Sequence, residues 1–468
     1  MNLFNTLSRK IEPLKASKGN YLSFYSCGPT VYNYLHVGNW VAYIRWDTLF
    51  RVAKDAGFDV DWYMNITDVG HLVSDADDGE DKLELGARRE GKNAWDIAKM
   101  YTKDFLKGLD ALGIAIPRDH LIRATDHIEE QITLVQTLEK NGHTYIIDDG
   151  VYFDTSTINN YGKLARLKLE GQQAGARVEV SAQKRSPYDF ALWKFSPKNA
   201  KRDMEWDSPW GKGFPGWHIE CSAMSMKYLG DTIDIHSGGI DHIPVHHTNE
   251  IAQSEAATSK PFVRYWVHNN FLTVDGTKIS KSLGNGYTLQ DILEKGFSPL
   301  NYRLFVLQSN YQTESNFTWE GLAAAQAKLR DFQAFADMVW QPNDQDSGVT
   351  SQQISSALNE IRDALRENLN TSLALTRLNE LEQAVITTGI TKQAQQALVD
   401  CIASLDTLLG LQLTSNDVPE SIHSLLKQRA NARAEKDWKL SDEFRDTLAA
   451  QNIIVRDTAN GQFWAKIR

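Results

Sequence analysis

The run YLSFYSCGPTVYNYLHVGNWVAYIRWDTLFRVAKDAGFDVDWYMNI, residues 21–66, decides the fold. It opens on a short apolar segment, Tyr21–Ser26. Val41, Ile44, Leu49, Phe50 and Ala53 then recur at helical spacing between Gly38 and Ala56, and Gly57 supplies a stop. Asp59–Ile66 is a second apolar strand. Strand, loop, helix and strand in this order predict a βαβ unit. Its loop lies at the carboxyl end of the first strand, where ligands sit in open α/β sheets.

The rest of the chain builds on this unit. Asp81–Leu112 reads as a charged helical stretch, preceded by an acidic segment at 70–80 that reads as a solvated surface loop. A helix at His127–Asn141 and hairpin-like strands around Tyr145–Asp154 look inserted between two halves of a sheet domain. The second half resumes near Trp217 and runs to Gly296. Residues 318–412 are rich in Ala, Leu, Gln and Glu and poor in Gly and Pro, as in a helical bundle. From Pro419 come two short helices and two apolar segments joined at Asn460-Gly461, a hairpin cue. The expected class is α/β: a Rossmann-like parallel-sheet catalytic domain with an inserted connective domain, then a helical bundle and a small α+β unit at the carboxyl end.

Composition narrows the setting. The 468 residues carry a net charge of -10 and only three cysteines. Three distant cysteines make no disulfide framework, so a reducing cytoplasm is expected. No apolar run approaches the roughly 18 residues of a membrane span, and no membrane role is expected. The acidic balance argues against bulk nucleic-acid affinity, yet Leu426–Trp438 is locally basic.

Two of the three cysteines sit beside glycines. Cys27 precedes Gly28-Pro29, and Cys221 closes Gly216-Trp-His-Ile-Glu-Cys221. His246 and Glu250 stand one helical turn apart further on. Two thiolates, an imidazole and a carboxylate suit zinc. Buried cysteines acting as small hydrophobes and an ordinary helix pair give the same pattern, and composition leaves both readings open. Cys401, on an apolar helical face, reads as core.

Two further motifs suit phosphate chemistry. His36-Val-Gly-Asn39 lies at the entry to the first helix. There Gly38 lets backbone approach a phosphate, the helix amino terminus offers free N–H groups, and His36 can donate. Asn39 is equally explained as a helix cap. Far downstream, Lys278-Ile-Ser-Lys-Ser282 places two lysines in a loop suited to charge building on a leaving pyrophosphate.

These motifs resemble the class I aminoacyl-tRNA synthetases: His36–Asn39 is similar to their HIGH motif, and Lys278–Ser282 to their KMSKS loop. Within that class, Cys27–Asn33, Asn65–Asp68, Gly216–Ser222, Asp234–Asp241 and His246–Ser254 resemble the cysteinyl-tRNA synthetases. Asn39 replaces the last His of HIGH, and Thr248 replaces a frequent Glu between zinc ligands.

The resemblance implies one zinc per chain, held by Cys27, Cys221, His246 and Glu250. It implies His36, Lys278 and Lys281 as catalytic residues. His36, Gly38, Asn39, Gly238, Gly239, Asp241 and Lys281 would bind ATP, which brings Mg2+. Thr67 and Trp217 would bind the amino acid, while His247 would face nucleotide or solvent. Arg433, Trp438 and Asp442 would read the anticodon, although Trp438 is as well read as the centre of a small core. The partners implied are L-cysteine, ATP and tRNA(Cys), with a monomeric enzyme. The division implied is 1–125 and 206–296 catalytic, 126–205 connective, 297–341 contacting the tRNA stem, 342–415 bundle and 416–468 anticodon unit.

A ligase joining cysteine to an amino-sugar through the same adenylate would share the zinc and ATP motifs. It would resemble the basic carboxyl-terminal unit poorly. An inactive tRNA- or zinc-binding paralogue is opposed by the intact His36, Lys281 and cysteine pair.

Overall fold

The computed structural model describes all residues except 71–80, 168–182, 198–201, 281–282, 344–346 and 459–460. The chain divides into two compact units, one of residues 1–290 with 311–315, the other of 291–310 with 316–468.

The first unit is organised by a five-stranded parallel sheet. Its strands are β1 (Tyr21–Ser26), β2 (Asp59–Ile66), β3 (Leu121–Arg123), β4 (Ile233–Gly239) and β5 (Val263–Asn269), in the order β5-β4-β1-β2-β3. Strands buried on both faces need continuous apolar sequence; Leu22, Phe24 and Tyr25 are accordingly buried in succession. Helix α1 (Val37–Asp55) returns from β1 to β2 and ends before Gly57, whose φ of +94° suits glycine. It buries Trp40, Val41, Ile44, Trp46, Leu49 and Val52. The chain leaves β1 toward β2 but leaves β4 toward β5. The strand order therefore reverses between β1 and β4, and a crevice opens at their carboxyl ends.

Two helices flank β4 in sequence, α2 (Trp217–Leu229) before it and α3 (His246–Thr258) after it. The charged stretch from Asp81 forms two helices, Lys82–Glu90 and Ala94–Ala111, because Gly91 turns left-handed at φ +65° and Asn93 caps the second. The acidic segment falls at 71–80, outside the described residues. Beyond residue 125 come the helix Ile128–Lys140 and an antiparallel sheet of Thr144–Ile147, Gly150–Phe153, Phe190–Phe195 and Gly213–Pro215. That sheet thus borrows its last strand from beyond residue 205, the expected end of the insertion.

In the second unit, helices Trp319–Asp337, Ser351–Arg366, Thr371–Thr388 and Gln395–Leu409 pack through spaced leucines and isoleucines such as Ile354, Leu358, Ile361 and Leu365. Cys401 is fully buried here, as expected. Helices Glu420–Ala434 and Trp438–Ala449 cover the hairpin Ile453–Thr458 and Gly461–Lys466. Its small core is Val418, Ile422, Leu426, Leu448, Ile453, Val455 and Trp464.

Candidate active site

A cleft of about 910 Å3 opens at the crevice between β1 and β4, and Cys27, His36, Thr67, Trp217, Gly239 and Asp241 are among its walls. Cys27 follows β1 directly, and its N–H donates to the Ser237 carbonyl of β4 at 3.0 Å. Gly28 is required next. A β-carbon there would lie 1.7 Å from the Asn65 carbonyl oxygen, and its N–H donates to Asn65 Oδ1 at 2.8 Å. Asn65 Nδ2 donates to Thr67 Oγ1 at 3.0 Å, and that hydroxyl donates to Glu220 Oε2 at 2.9 Å. Thr67 is therefore held in one orientation on the cleft wall.

Cys27, Cys221 and His246 line the cleft and meet the buried Glu250 there, although sequence scatters them. Ligand atoms of Cys27, Cys221, His246 and Glu250 all lie within 4.8 Å of one another, and all four residues are buried. Cys221 comes from α2, and His246 and Glu250 come from successive turns of α3. His236 Nε2 donates to Glu250 Oε2 at 2.8 Å. The other oxygen, Oε1, is buried with no hydrogen-bond donor among the described residues. His246 Nε2 stands 2.9 Å from it, yet without hydrogen-bond geometry. An orphaned carboxylate oxygen and an imidazole nitrogen beside two sulfurs form a donor set that fits zinc.

The electrostatics agree with that fit. Burial pushes the Cys27 thiol well up, reinforced by Cys221. The hydrogen bond from Cys27 outweighs burial at Cys221 and lowers it to about 7. Burial acts to lower His246, but the Glu250 charge and the bond to Cys221 raise it to about 10. Burial acts upward on Glu250, but His236 and His246 hold it far below the usual carboxylate range. A cation bound there would displace those protons and take thiolate and carboxylate as its ligands.

The ligand atoms of a second set, Cys27, His236, His247 and Glu250, also lie within 4.8 Å of one another. Its imidazoles are already engaged: His236 on Glu250, and His247 with Nε2 3.3 Å from Cys27 Sγ and Nδ1 2.7 Å from His268 Nε2. They serve better as outer partners that orient ligands. The expectation that His247 faces nucleotide or solvent is corrected here. It is fully buried beneath Gly238, where a β-carbon would lie 2.6 Å from its Cε1.

The phosphate motifs meet at the other wall. His36 caps α1, and its N–H donates to Asn39 Oδ1 at 3.1 Å. Asn39 thus braces the cap from the third helical position rather than being the cap itself. His36 Nδ1 is buried without a partner among the described residues, and burial lowers the imidazole below its ordinary value. A β-carbon at Gly38 would lie 2.7 Å from Ile279 Cδ1, so the lysine loop lies directly against the histidine motif. Asn285 braces this loop, accepting from Ser280 N at 2.9 Å and donating to the Lys278 carbonyl at 3.3 Å. Lys278 is exposed, whereas Lys281 lies outside the described residues. Trp217 packs its ring 4.3 Å from that of His246.

The chain matches the family of class I tRNA synthetase (C) catalytic domains over residues 13–327, and the cysteinyl-tRNA ligase anticodon-binding domain over residues 415–464. The chain belongs to the cysteine–tRNA ligase family. It is 46% identical to cysteine–tRNA ligase 1 of Burkholderia lata over 98% of this chain and 96% of that one. It is 40% identical to the cysteine–tRNA ligase of Treponema denticola over the whole of both chains. A solved methionyl-tRNA synthetase from Mycobacterium tuberculosis, bound by methionyl-adenylate, shares the fold with a TM-score of 0.59 at 14% identity, covering 88% of this chain and 95% of that one. No helix among the described residues is long and apolar enough to cross a membrane.

For a cysteine–tRNA ligase family member the terminal unit matters too. Trp438 is 56% exposed, which rules out the core reading of its ring. The Arg433 guanidinium lies 5.4 Å from the ring centroid and also pairs with Asp457 at 3.1 Å. Asp442, one turn beyond Trp438, pairs with Arg445 at 3.3 Å. Sequence reasoning assigned no part to His236, Glu220 or His268. His236 left one signal: a polar residue in a strand buried on both faces needs a buried partner.

Proposed function

We propose that this enzyme activates L-cysteine with ATP, releases pyrophosphate, and transfers cysteine to the 3′ end of tRNA(Cys), selecting cysteine through a zinc at the cleft floor. The observation that carries this is the convergence of Cys27, Cys221, His246 and Glu250 within 4.8 Å, in a cleft that also presents the histidine and lysine motifs.

In the first step the cysteine carboxylate attacks the α-phosphorus of ATP, and the bond to the departing pyrophosphate breaks. In the second a ribose hydroxyl of tRNA, the 2′-OH in class I, attacks the adenylate carbonyl and AMP leaves. No protein nucleophile is needed, so positioning and charge stabilisation carry the catalysis. His36, at the amino terminus of α1, donates to a phosphate oxygen. Gly38 and Asn39 keep the helix end open to the triphosphate. Gly238 and Gly239 leave the end of β4 bare for nucleotide, with Asp241 beside the ribose. Lys278 and Lys281 neutralise the pyrophosphate, and Mg2+ arrives on ATP with phosphate and water as its main ligands. Thr67 and Trp217 wall the amino acid.

Zinc held by the four ligands would supply a soft Lewis acid that favours a thiolate over a hydroxyl. An apolar pocket alone separates such near-isosteres by only ~1–3 kcal/mol. Cys27, Cys221, His246 and Glu250 would hold the metal, and Glu250, an oxygen donor beside two sulfurs, would be the ligand most readily yielded to a substrate thiolate.

Arg433, Trp438 and Asp442 read unpaired anticodon bases by stacking and edge bonding. Residues 126–205 serve as the connective insertion between the catalytic halves, 297–341 contact the tRNA stem, 342–415 form the bundle, and 416–468 the anticodon unit. The enzyme works as a cytoplasmic monomer with one zinc. Cysteine-dependent ATP–pyrophosphate exchange together with charging of tRNA(Cys) tests the reading. Exchange without charging overturns it and points to an amino-sugar acceptor.

A further inference from the structure

Phe271 is an anomaly in the cleft. A large apolar ring in a nucleotide site is ordinarily buried by its neighbours, yet Phe271 is 41% exposed and lines the cavity. Its backbone is pinned: its N–H donates to Asn270 Oδ1 at 2.8 Å, and its carbonyl accepts from Ser315 N at 3.0 Å. The adjoining Asn270 carbonyl accepts from the buried Arg45 Nη1 at 3.2 Å. The ring is therefore presented from a fixed base. The Lys278 ammonium lies over its face, 5.7 Å from the centroid.

We propose that Phe271 is the stacking platform for the 3′-terminal adenine of tRNA, and that it is uncovered when Lys278 leaves the ring for the triphosphate. The inference rests on the charging function proposed above. Its physical basis is exclusion. One ammonium cannot sit on the phenyl face and on the pyrophosphate together. The face opens once Lys278 has engaged a triphosphate already seated, so its occupant arrives after ATP. The next ligand to enter is the acceptor end of tRNA, single-stranded and carrying an unpaired purine. An exposed aromatic ring is what such a base stacks on, and the stack ranks its ligands by ring area rather than by hydrogen-bond pattern. The order ties acceptor-end binding to a loaded site, since the platform is covered before ATP binds and bare while Lys278 holds its phosphates.

The test uses the full-length enzyme, its Phe271→Ala and Phe271→Trp variants, and two tRNA(Cys) transcripts, one normal and one with an abasic 3′-terminal ribose that keeps its 2′-OH. Pyrophosphate exchange should keep its KM for ATP within twofold in both variants. Phe271→Ala should raise the KM for normal tRNA about tenfold, and Phe271→Trp should restore it. The abasic end should cost the wild type about tenfold but cost Phe271→Ala nothing further. A raised KM for ATP overturns the proposal by making the ring an ATP contact. So does an unchanged KM for tRNA, or a penalty for the abasic end that persists in Phe271→Ala. Failure of the wild type to charge normal tRNA would instead refute the function on which the inference rests.

Discussion

His236 Nε2 holds one oxygen of Glu250 at 2.8 Å and leaves the other, Oε1, buried without a hydrogen-bond donor among the described residues. The pairing aims a carboxylate at the point where two sulfurs and an imidazole converge. His236→Gln removes that aim and keeps the volume roughly constant. Zinc affinity should fall about 10–100-fold, the range for lost outer partners of a ligand. Competition with a chromophoric chelator measures it, and an unchanged near-ultraviolet circular dichroism spectrum confirms the fold.

The thiols should separate by reactivity once metal is stripped. Cys221 lies at about 7, chiefly through its bond with Cys27, whereas burial pushes Cys401 up to about 12. Thiolate is the reactive form. Iodoacetamide labelling of Cys221 should therefore rise with pH through about 7 and level off above it, with Cys401 unlabelled. Zinc should protect Cys221. Peptide mapping of labelled protein reads all three outcomes.

Two glycines should fail differently. A β-carbon at Gly28 meets backbone, the Asn65 carbonyl oxygen at 1.7 Å; one at Gly38 meets the movable tip of Ile279 at 2.7 Å. Gly28→Ala should destabilise the fold by about 3 kcal/mol, at the upper end for overpacking, measured by denaturant unfolding. Gly38→Ala should leave stability nearly unchanged and slow pyrophosphate exchange tenfold or more, because the lysine loop is displaced from the histidine motif.

Asp68 supplies a pH signature. Burial raises it from 3.8 to about 6, despite the opposing bonds from Thr125 N and Oγ1. The folded state then binds the proton more tightly than the unfolded state. Its stabilising contribution is complete below about pH 4 and is lost as pH rises through about 6. Asp68→Asn should remove that slope. The Tm difference, variant minus wild type, should be more positive at pH 7 than at pH 4 in thermal unfolding.

Much of the catalytic fold was legible in residues 21–66, because a parallel strand buried on both faces announces itself as an apolar run and Gly57 marks the helix end. The zinc ligands were legible by resemblance. Composition alone could not bring Cys27 to Cys221, since the contact depends on the strand order that sets β1 beside β4. His247 was misplaced because neighbouring polar residues on a helix ordinarily include one that faces water, and here the strand end at Gly238 covers it. The break at Gly91 was hidden within a uniformly charged stretch. The exposure of Trp438 was not legible either, since the same basic helix pair would suit an indole packed inside or outside.

Recognition of the substrate sulfur by a metal at Cys27, Cys221, His246 and Glu250 is the core of the proposed function. Its most direct test is the absorption spectrum of the cobalt(II)-substituted enzyme titrated with L-cysteine and with L-serine. Cysteine should strengthen the sulfur-to-cobalt charge-transfer band in a saturable way, and serine should leave it unchanged. Cysteine binding detected by calorimetry on the same sample, with no change in that band, would contradict the account.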